Sequence, residues 1–236
     1  MYKHTILLAA VAGVVLAMAG AAQASIKTMP TGLYLGDQFR LVFVTSTTRD
    51  ALSTNIADYN AFVTAAATAV PELNALGTTW TAIGSTGAVN ANVNTLTRST
   101  DPSYPIYNLA DQLVASGNVD LWDGTIQNAI HMNELGSSVA VYTWTGTHGG
   151  GTKWNDHWLG CGGWTLEGYS TGTTAPVGDR WVYGQGWIGN VGNIGGGSAQ
   201  GRFYGISGPI TWTPEPATLA LLGLGGLGLV LGRKRK

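Results

Sequence analysis

The sequence predicts an α+β fold, a loop-rich domain with a mostly antiparallel sheet and little helix. Three observations carry that expectation. Glycine accounts for 35 of 236 residues and tryptophan for 9, which pairs tight turns with large aromatic anchors and suits strands and loops better than a helix bundle. The runs 38–45 and 139–145 are rich in β-branched and aromatic residues. Against them stands one alanine-dense stretch, 58–69, of helical composition.

The elements follow in order. Lys3 and His4 make a short n-region, 6–19 is apolar, and Ala22-Gln23-Ala24 offers a small-x-small cleavage site before Ser25. Residues 1–24 therefore read as a signal peptide that directs export through the Sec translocon. The body, 25–213, is long enough for one domain with a core and short for two. Within it, 38–45 is apolar enough for a buried strand. Asp58 is expected to cap a helix reaching about Ala69, with Pro71 ending it and Leu73 and Leu76 facing the core. A second strand, 79–84, carries Trp80 as its packing anchor. The segment 88–105 is polar and reads as a long surface loop.

Residues 106–109 and 113–114 return to the core, and 121–124 form a turn plugged by Trp122. Glu134 falls in a short helix or turn over 126–135. The clearest alternating strand is 139–145, and 201–207 closes the domain. No fixed-period repeat occurs, so a solenoid is not supported. Charged residues make up 11% of the chain and the net charge is −1, which leaves no basic face for nucleic acid or anionic glycans. Cys161 is the single cysteine and has no partner for an internal disulfide. It is free, intermolecularly bonded or buried, and burial is the expectation.

The C-terminal stretch is the most specific in the chain. Pro214-Glu215-Pro216 precedes an uncharged Leu/Gly-rich run, 217–231, and then Arg233-Lys234-Arg235-Lys236. As a helix the run would reach roughly 22 Å, short of the ~30 Å hydrocarbon core. Snorkelling of the terminal cations and local thinning close part of that gap, and those cations are expected on the cytoplasmic side. The Gly-x-Gly-Gly-x-Gly pattern at 223–228 opens no βαβ unit, so it is not a nucleotide fingerprint. In its three-part order the segment 214–236 resembles the PEP-CTERM sorting tail of Gram-negative bacteria. That resemblance implies recognition of the Pro-Glu-Pro region by an exosortase-type enzyme. It also implies passage through the inner membrane and residence in the envelope, at the cell surface or in an extracellular matrix.

A second resemblance spans the body. Arg40 to Val44, Trp80 to Ser85, Pro105 to Asp111, Tyr142 to Thr147, Leu159 to Thr165 and Gly201 to Ile206 come in the order of the endostatin-like branch of the C-type-lectin-like fold. The resemblance implies that fold for 25–213, with 214–236 as a flanking apolar sorting helix. It also implies disulfides, of which only Cys161 falls on a matching position. Gly205 stands where another cysteine would be expected.

Several groups of residues contain side-chain types that known chemistries use. Trp154-Asn155-Asp156 is similar to the Trp-Asn-Asp motif of calcium-dependent lectins. Calcium takes six to eight oxygens, the motif offers two side chains, and no Glu-Pro-Asn or Gln-Pro-Asp triplet precedes it. Calcium is thus an alternative, and no cofactor or metal is the expectation. His148, Asp156, His157 and Cys161 contain the residue types of a zinc site, but their loop spacing does not demand convergence. A Cys161 nucleophile would need a positioned base. Nothing in the sequence pairs any two of Asp120, Asp123, Glu134 and Glu167 for glycoside hydrolysis. The expected function is a non-catalytic module that contacts polysaccharide or protein through loops carrying Trp154, Asn155, Asp156 and Trp158. The alternative is an envelope hydrolase or metal-dependent enzyme using loop His, Asp or Cys residues.

Overall fold

The computed structural model describes residues 26–139, 142–154, 159–160, 171–173, 187–188 and 198–213. They form a mixed α/β fold whose sheet is mostly antiparallel. The organising strand is β1, Gln38–Val44, exposed at Gln38 and buried everywhere after it. Its alternation explains why: Phe39, Leu41 and Phe43 enter one apolar cluster, while Val42 and Val44 enter a second on the opposite face. A strand covered on both sides has no solvated face, which is why Leu41 to Val44 is continuously apolar and why Arg40 is buried with its guanidinium hydrogen-bonded.

Beside β1 lie β3, Ile106–Asn108, which runs parallel to it, and β7, Tyr204–Ser207, which runs antiparallel. Strand β7 in turn pairs with β2, Trp80–Ala82, and β3 pairs with β4, Leu113–Ala115. The order across the sheet is therefore β2-β7-β1-β3-β4. A last short strand, β8, Ile210–Thr211, pairs with the start of β1. Four of the six sequence pieces that carried the second resemblance, at 40–44, 80–85, 105–111 and 201–206, thus meet in one sheet.

Helix α1, Ile56–Thr68, covers the Phe43 face with Tyr59, Val63 and Ala67, spaced at four residues on one side of the helix. It is tied to β2 by polar side chains: Thr64 Oγ1 donates to the Trp80 carbonyl at 2.9 Å, and the Ala82 N–H donates to Asn60 Oδ1 at 2.8 Å. Trp80 meets Phe43 edge-on at 5.3 Å, and Tyr59 stacks on Phe203 at 5.1 Å. The expected cap is corrected here. Asn55, not Asp58, caps α1, and its Oδ1 accepts the Ala57 N–H at 3.1 Å. Asp58 lies in the first turn, where its carboxylate accepts the Ser53 hydroxyl at 2.6 Å. Pro71 does not end α1 but opens α2, Pro71–Asn74, where a missing N–H costs nothing.

The expectation of a surface loop over 88–105 is also corrected. The segment contains α3, Ala91–Asn94, and buries Ala91, Thr95 and Thr97. Polar side chains make the burial possible. Asn94 Nδ2 donates to the Ala82 carbonyl at 2.8 Å, and the buried Arg40 guanidinium donates to the carbonyls of Thr95 and Leu96 at 2.8 and 3.1 Å. Glu134 lies in a turn rather than a helix. Its carboxylate accepts the Ser46 N–H at 2.8 Å and the Ser46 hydroxyl. Of the expected strand 139–145, the regular part is β5, Tyr142–Trp144. It pairs with β6, Thr171–Thr173, in a separate two-stranded sheet, and the Trp144 N–H donates to the Arg202 carbonyl at 2.8 Å. Among the described residues no helix is long and apolar enough to cross a membrane. The leader 1–24 and the tail 214–236 lie outside them.

Candidate functional site

After β5 the chain folds into a glycine-rich hairpin, 146–154, closed by an antiparallel bridge between Thr147 and Lys153. The His148 N–H donates to the Thr152 carbonyl and the Gly151 N–H donates back to the His148 carbonyl, both at 2.8 Å. Gly151 has a φ of +77°, which a side chain would strain. A Cβ there would also stand 2.7 Å from Trp122 Cδ2 and 2.9 Å from Asn92 Cβ, so the hairpin lies directly against the body. Lys153 fixes its register twice, through its N–H to Asn90 Oδ1 at 2.9 Å and through Nζ to the Gly87 carbonyl at 2.8 Å.

The result is an open cleft of about 370 Å³ lined by His148, Thr152, Lys153 and Trp154. The rings of His148 and Trp154 lie 5.0 Å apart, inclined at 50°. His148 is exposed and Trp154 half-buried, so both rings reach the surface. An indole, an imidazole, a hydroxyl and an ammonium group around one hollow provide a flat apolar platform with hydrogen-bonding groups at its edge. That combination suits polyhydroxylated ligands. Of the sequence-predicted site residues, the structure places Trp154 here. Asn155, Asp156 and Trp158, together with His157, Cys161 and Glu167, lie outside the described residues. Among the described residues no group of three or more His, Cys, Asp or Glu side chains is arranged to hold a metal ion.

The remaining carboxylates are each engaged in local structure. Asp120 belongs to α4, Asn118–Leu121, and accepts the Ser116 N–H at 2.6 Å and Gln127 Nε2 at 2.7 Å. The bond from the Ser116 backbone, with Gln127 assisting, holds its pKa below the ordinary aspartate range. Asp123 Oδ1 accepts from the Thr125 N–H and hydroxyl at 2.8 and 2.9 Å, closing the turn after Trp122. Glu134 is held by Ser46. Between them these three carboxylates engage Ser116, Gln127, Thr125 and Ser46, each a local structural contact.

Trp187 and Trp144 are fully buried and Trp80 nearly so, which assigns these three indoles to the core. A second hollow of about 200 Å³ lies between Asn92, Arg98, Ser99, Asn118, Val119, Trp122 and Gly150. Its size is below the ~300–1,000 Å³ usual for ligand pockets. It is not legible in the sequence, because the polar composition of 88–105 reads as a surface loop. Asn118 Nδ2 faces the carbonyls of Arg98, Asp101 and Pro102, which fixes the amide orientation. Its Oδ1 is buried with no hydrogen-bond partner among the described residues.

No curated protein matches the chain. Residues 213–236 match the PEP-CTERM protein-sorting motif, and by that likeness the chain is one exported and sorted through its C terminus to the envelope or surface of a bacterium, with processing by an exosortase-type enzyme.

Proposed function

We propose that the chain is an exported envelope or matrix module with no catalysis of its own, which contacts extracellular polysaccharide or protein through its glycine- and tryptophan-rich loops. In this reading 1–24 is removed as a signal peptide, and the apolar run 217–231 enters the membrane with Arg233, Lys234, Arg235 and Lys236 on the cytoplasmic side. Enzymatic processing at the Pro214-Glu215-Pro216 region then releases or transfers the body. The body itself is a C-type-lectin-like domain of the endostatin-like branch, and it works without a cofactor. The sorting-motif match carries the first half of this reading. The cleft between His148 and Trp154, on a hairpin clamped by Lys153, supports the second.

Trp154→Ala is expected to weaken retention on extracellular polysaccharide at least ~5-fold, since stacking and hydrophobic contact on one indole are worth of order 1–3 kcal/mol. The substitution should leave the melting temperature within a few degrees, because Trp154 is half-buried rather than central. Affinity electrophoresis in gels containing the producing organism's own polysaccharide gives the readout. Unchanged mobility with Trp154→Ala and His148→Ala would remove this cleft from the binding reading. The rival, an envelope hydrolase, gains instead if His148→Ala, Asp156→Asn or Cys161→Ala abolishes turnover of a wall or matrix polymer while the fold persists.

A further inference from the structure

The end of the domain from which the tail departs carries an apolar tip. Tyr34 is 79% exposed and Leu35 68%, neighbours in sequence with no apolar cover. They do not sit on a loose loop. The Asp37 N–H donates to the Tyr34 carbonyl at 3.0 Å, the Tyr34 N–H donates to Asp37 Oδ2 at 2.7 Å, and Gly36 at the third position has a φ of +93°. A positive φ there is what a type II turn needs, and the turn pushes Leu35 outward at its corner.

This turn is fastened to the last residues before the sorting motif. The Gly36 N–H donates to the Trp212 carbonyl at 3.1 Å, and the Trp212 N–H donates to the Asp37 carbonyl at 2.7 Å. From Trp212 the chain has only Thr213, Pro214, Glu215 and Pro216 before the uncharged run begins at Ala217. Five residue steps separate Trp212 from Ala217, a reach of at most roughly 17 Å at ~3.3–3.6 Å per residue. The headgroup layer alone takes up about 5–8 Å of that span.

We propose that Tyr34 and Leu35 form a membrane-facing tip, seated in the headgroup region of the bilayer while the unprocessed tail holds the chain there. The occupant is a lipid surface, and the inference rests on the reading that 217–231 enters the membrane. Tyrosine is suited to this depth because its ring is apolar and its hydroxyl stays hydrated. The contact is apolar rather than electrostatic. Asp37 and Asp111, the carboxylates at this end, are occupied by the N–H of Tyr34 and by the N–H and hydroxyl of Thr31. Such a tip orients the body on the membrane and holds the Pro-Glu-Pro region at a fixed height for processing. Once the tail is removed the tip has nothing to hold it at the bilayer, and the contact ends.

The test uses the full chain in a Cys161→Ser background with Leu35→Cys bearing an environment-sensitive NBD dye. The matched control is Leu52→Cys, another exposed leucine, which lies beyond the opposite end of β1. Both proteins are reconstituted into vesicles of phosphatidylethanolamine and phosphatidylglycerol. A blue-shifted emission at 35, quenched by lipid-borne quenchers and insensitive to salt, with a water-like spectrum at 52, supports the tip. Amide exchange on the unsubstituted chain gives an independent readout, expected to slow over 33–37 on vesicles and not over 50–54. Equal, water-like spectra at both positions on chains that co-sediment with vesicles overturn the tip but leave the tail reading standing. Failure to co-sediment overturns both. Protection that appears only when exosortase-containing membranes are supplied assigns the surface to a protein partner, which also overturns the proposal.

Discussion

Gly205→Ala is expected to destabilise the domain by about 1–3 kcal/mol, and the larger Gly205→Cys by more. Gly205 sits in β7, paired with Phe43 of β1 on one side and Ala82 of β2 on the other, directly beneath α1. A Cβ at this position would stand 2.6 Å from Val63 Cγ1, 2.7 Å from Phe43 Cε1 and 2.8 Å from Phe43 Cζ. Both neighbours are fully buried, so neither can swing into solvent to make room. Helix and sheet have closed over the space a side chain would need at this position. Urea denaturation measures the effect. The contrasting exchange, Gly150→Ala, faces open space and is expected to stay within about 0.5 kcal/mol. Partial recovery by adding Val63→Ala to Gly205→Ala would identify the collision as the cause.

Trp144→Ala is the second large effect, expected at about 3–5 kcal/mol. The indole is fully buried in the main apolar cluster, and its Nε1 donates to the Ala199 carbonyl at 3.2 Å. Gly201 lies flat against the ring, where a Cβ would approach Cδ1 and Nε1 to 2.5 Å. Gly201→Ala alone should therefore cost about 1–3 kcal/mol by overpacking. In the cavity left by Trp144→Ala, that same methyl has room. The double variant is expected to lose less than the two single losses added together, a coupling of ~0.5 kcal/mol or more. Strict additivity of the three urea midpoints would show that Gly201 and Trp144 do not share one packed site.

Much of this architecture was legible in the residues themselves, and the exceptions have physical causes. Strand β1 was evident because burial on both faces leaves the apolar run Leu41 to Val44. Trp80 and Leu73 were readable as core residues because each is a large apolar side chain among polar neighbours. The cap of α1 was misplaced because Asn55 and Asp58 are both capping residue types within one turn, and only geometry selects between them. The segment 88–105 misled because its burial is polar. Asn94, Thr95 and Thr97 look like loop residues until their partners are seen: the Ala82 carbonyl for the Asn94 amide, Arg40 for the Thr95 carbonyl, and Thr95 and Trp122 for the Thr97 hydroxyl. Strand order was beyond the sequence, since β1 finds its neighbours at 106–108 and 204–206, and no local pattern records such pairings. At the candidate site, Trp154 was singled out for its sequence neighbours Asn155 and Asp156. The structure instead sets it beside His148, across a hairpin whose turn chemistry lies in Gly149-Gly150-Gly151.

The central claim is that the chain is exported and sorted by its C-terminal motif. Its most direct test is the intact mass of the protein recovered from the envelope or surface of the producing cells, compared with cells that lack exosortase-type activity. The account predicts a surface form that lacks 1–24 and ends near Pro214-Glu215-Pro216. In the deficient cells, or with Pro214→Ala and Pro216→Ala together, the protein should keep Lys236 and fractionate with the inner membrane. A surface protein whose mass includes Lys236 in both kinds of cell would contradict the account.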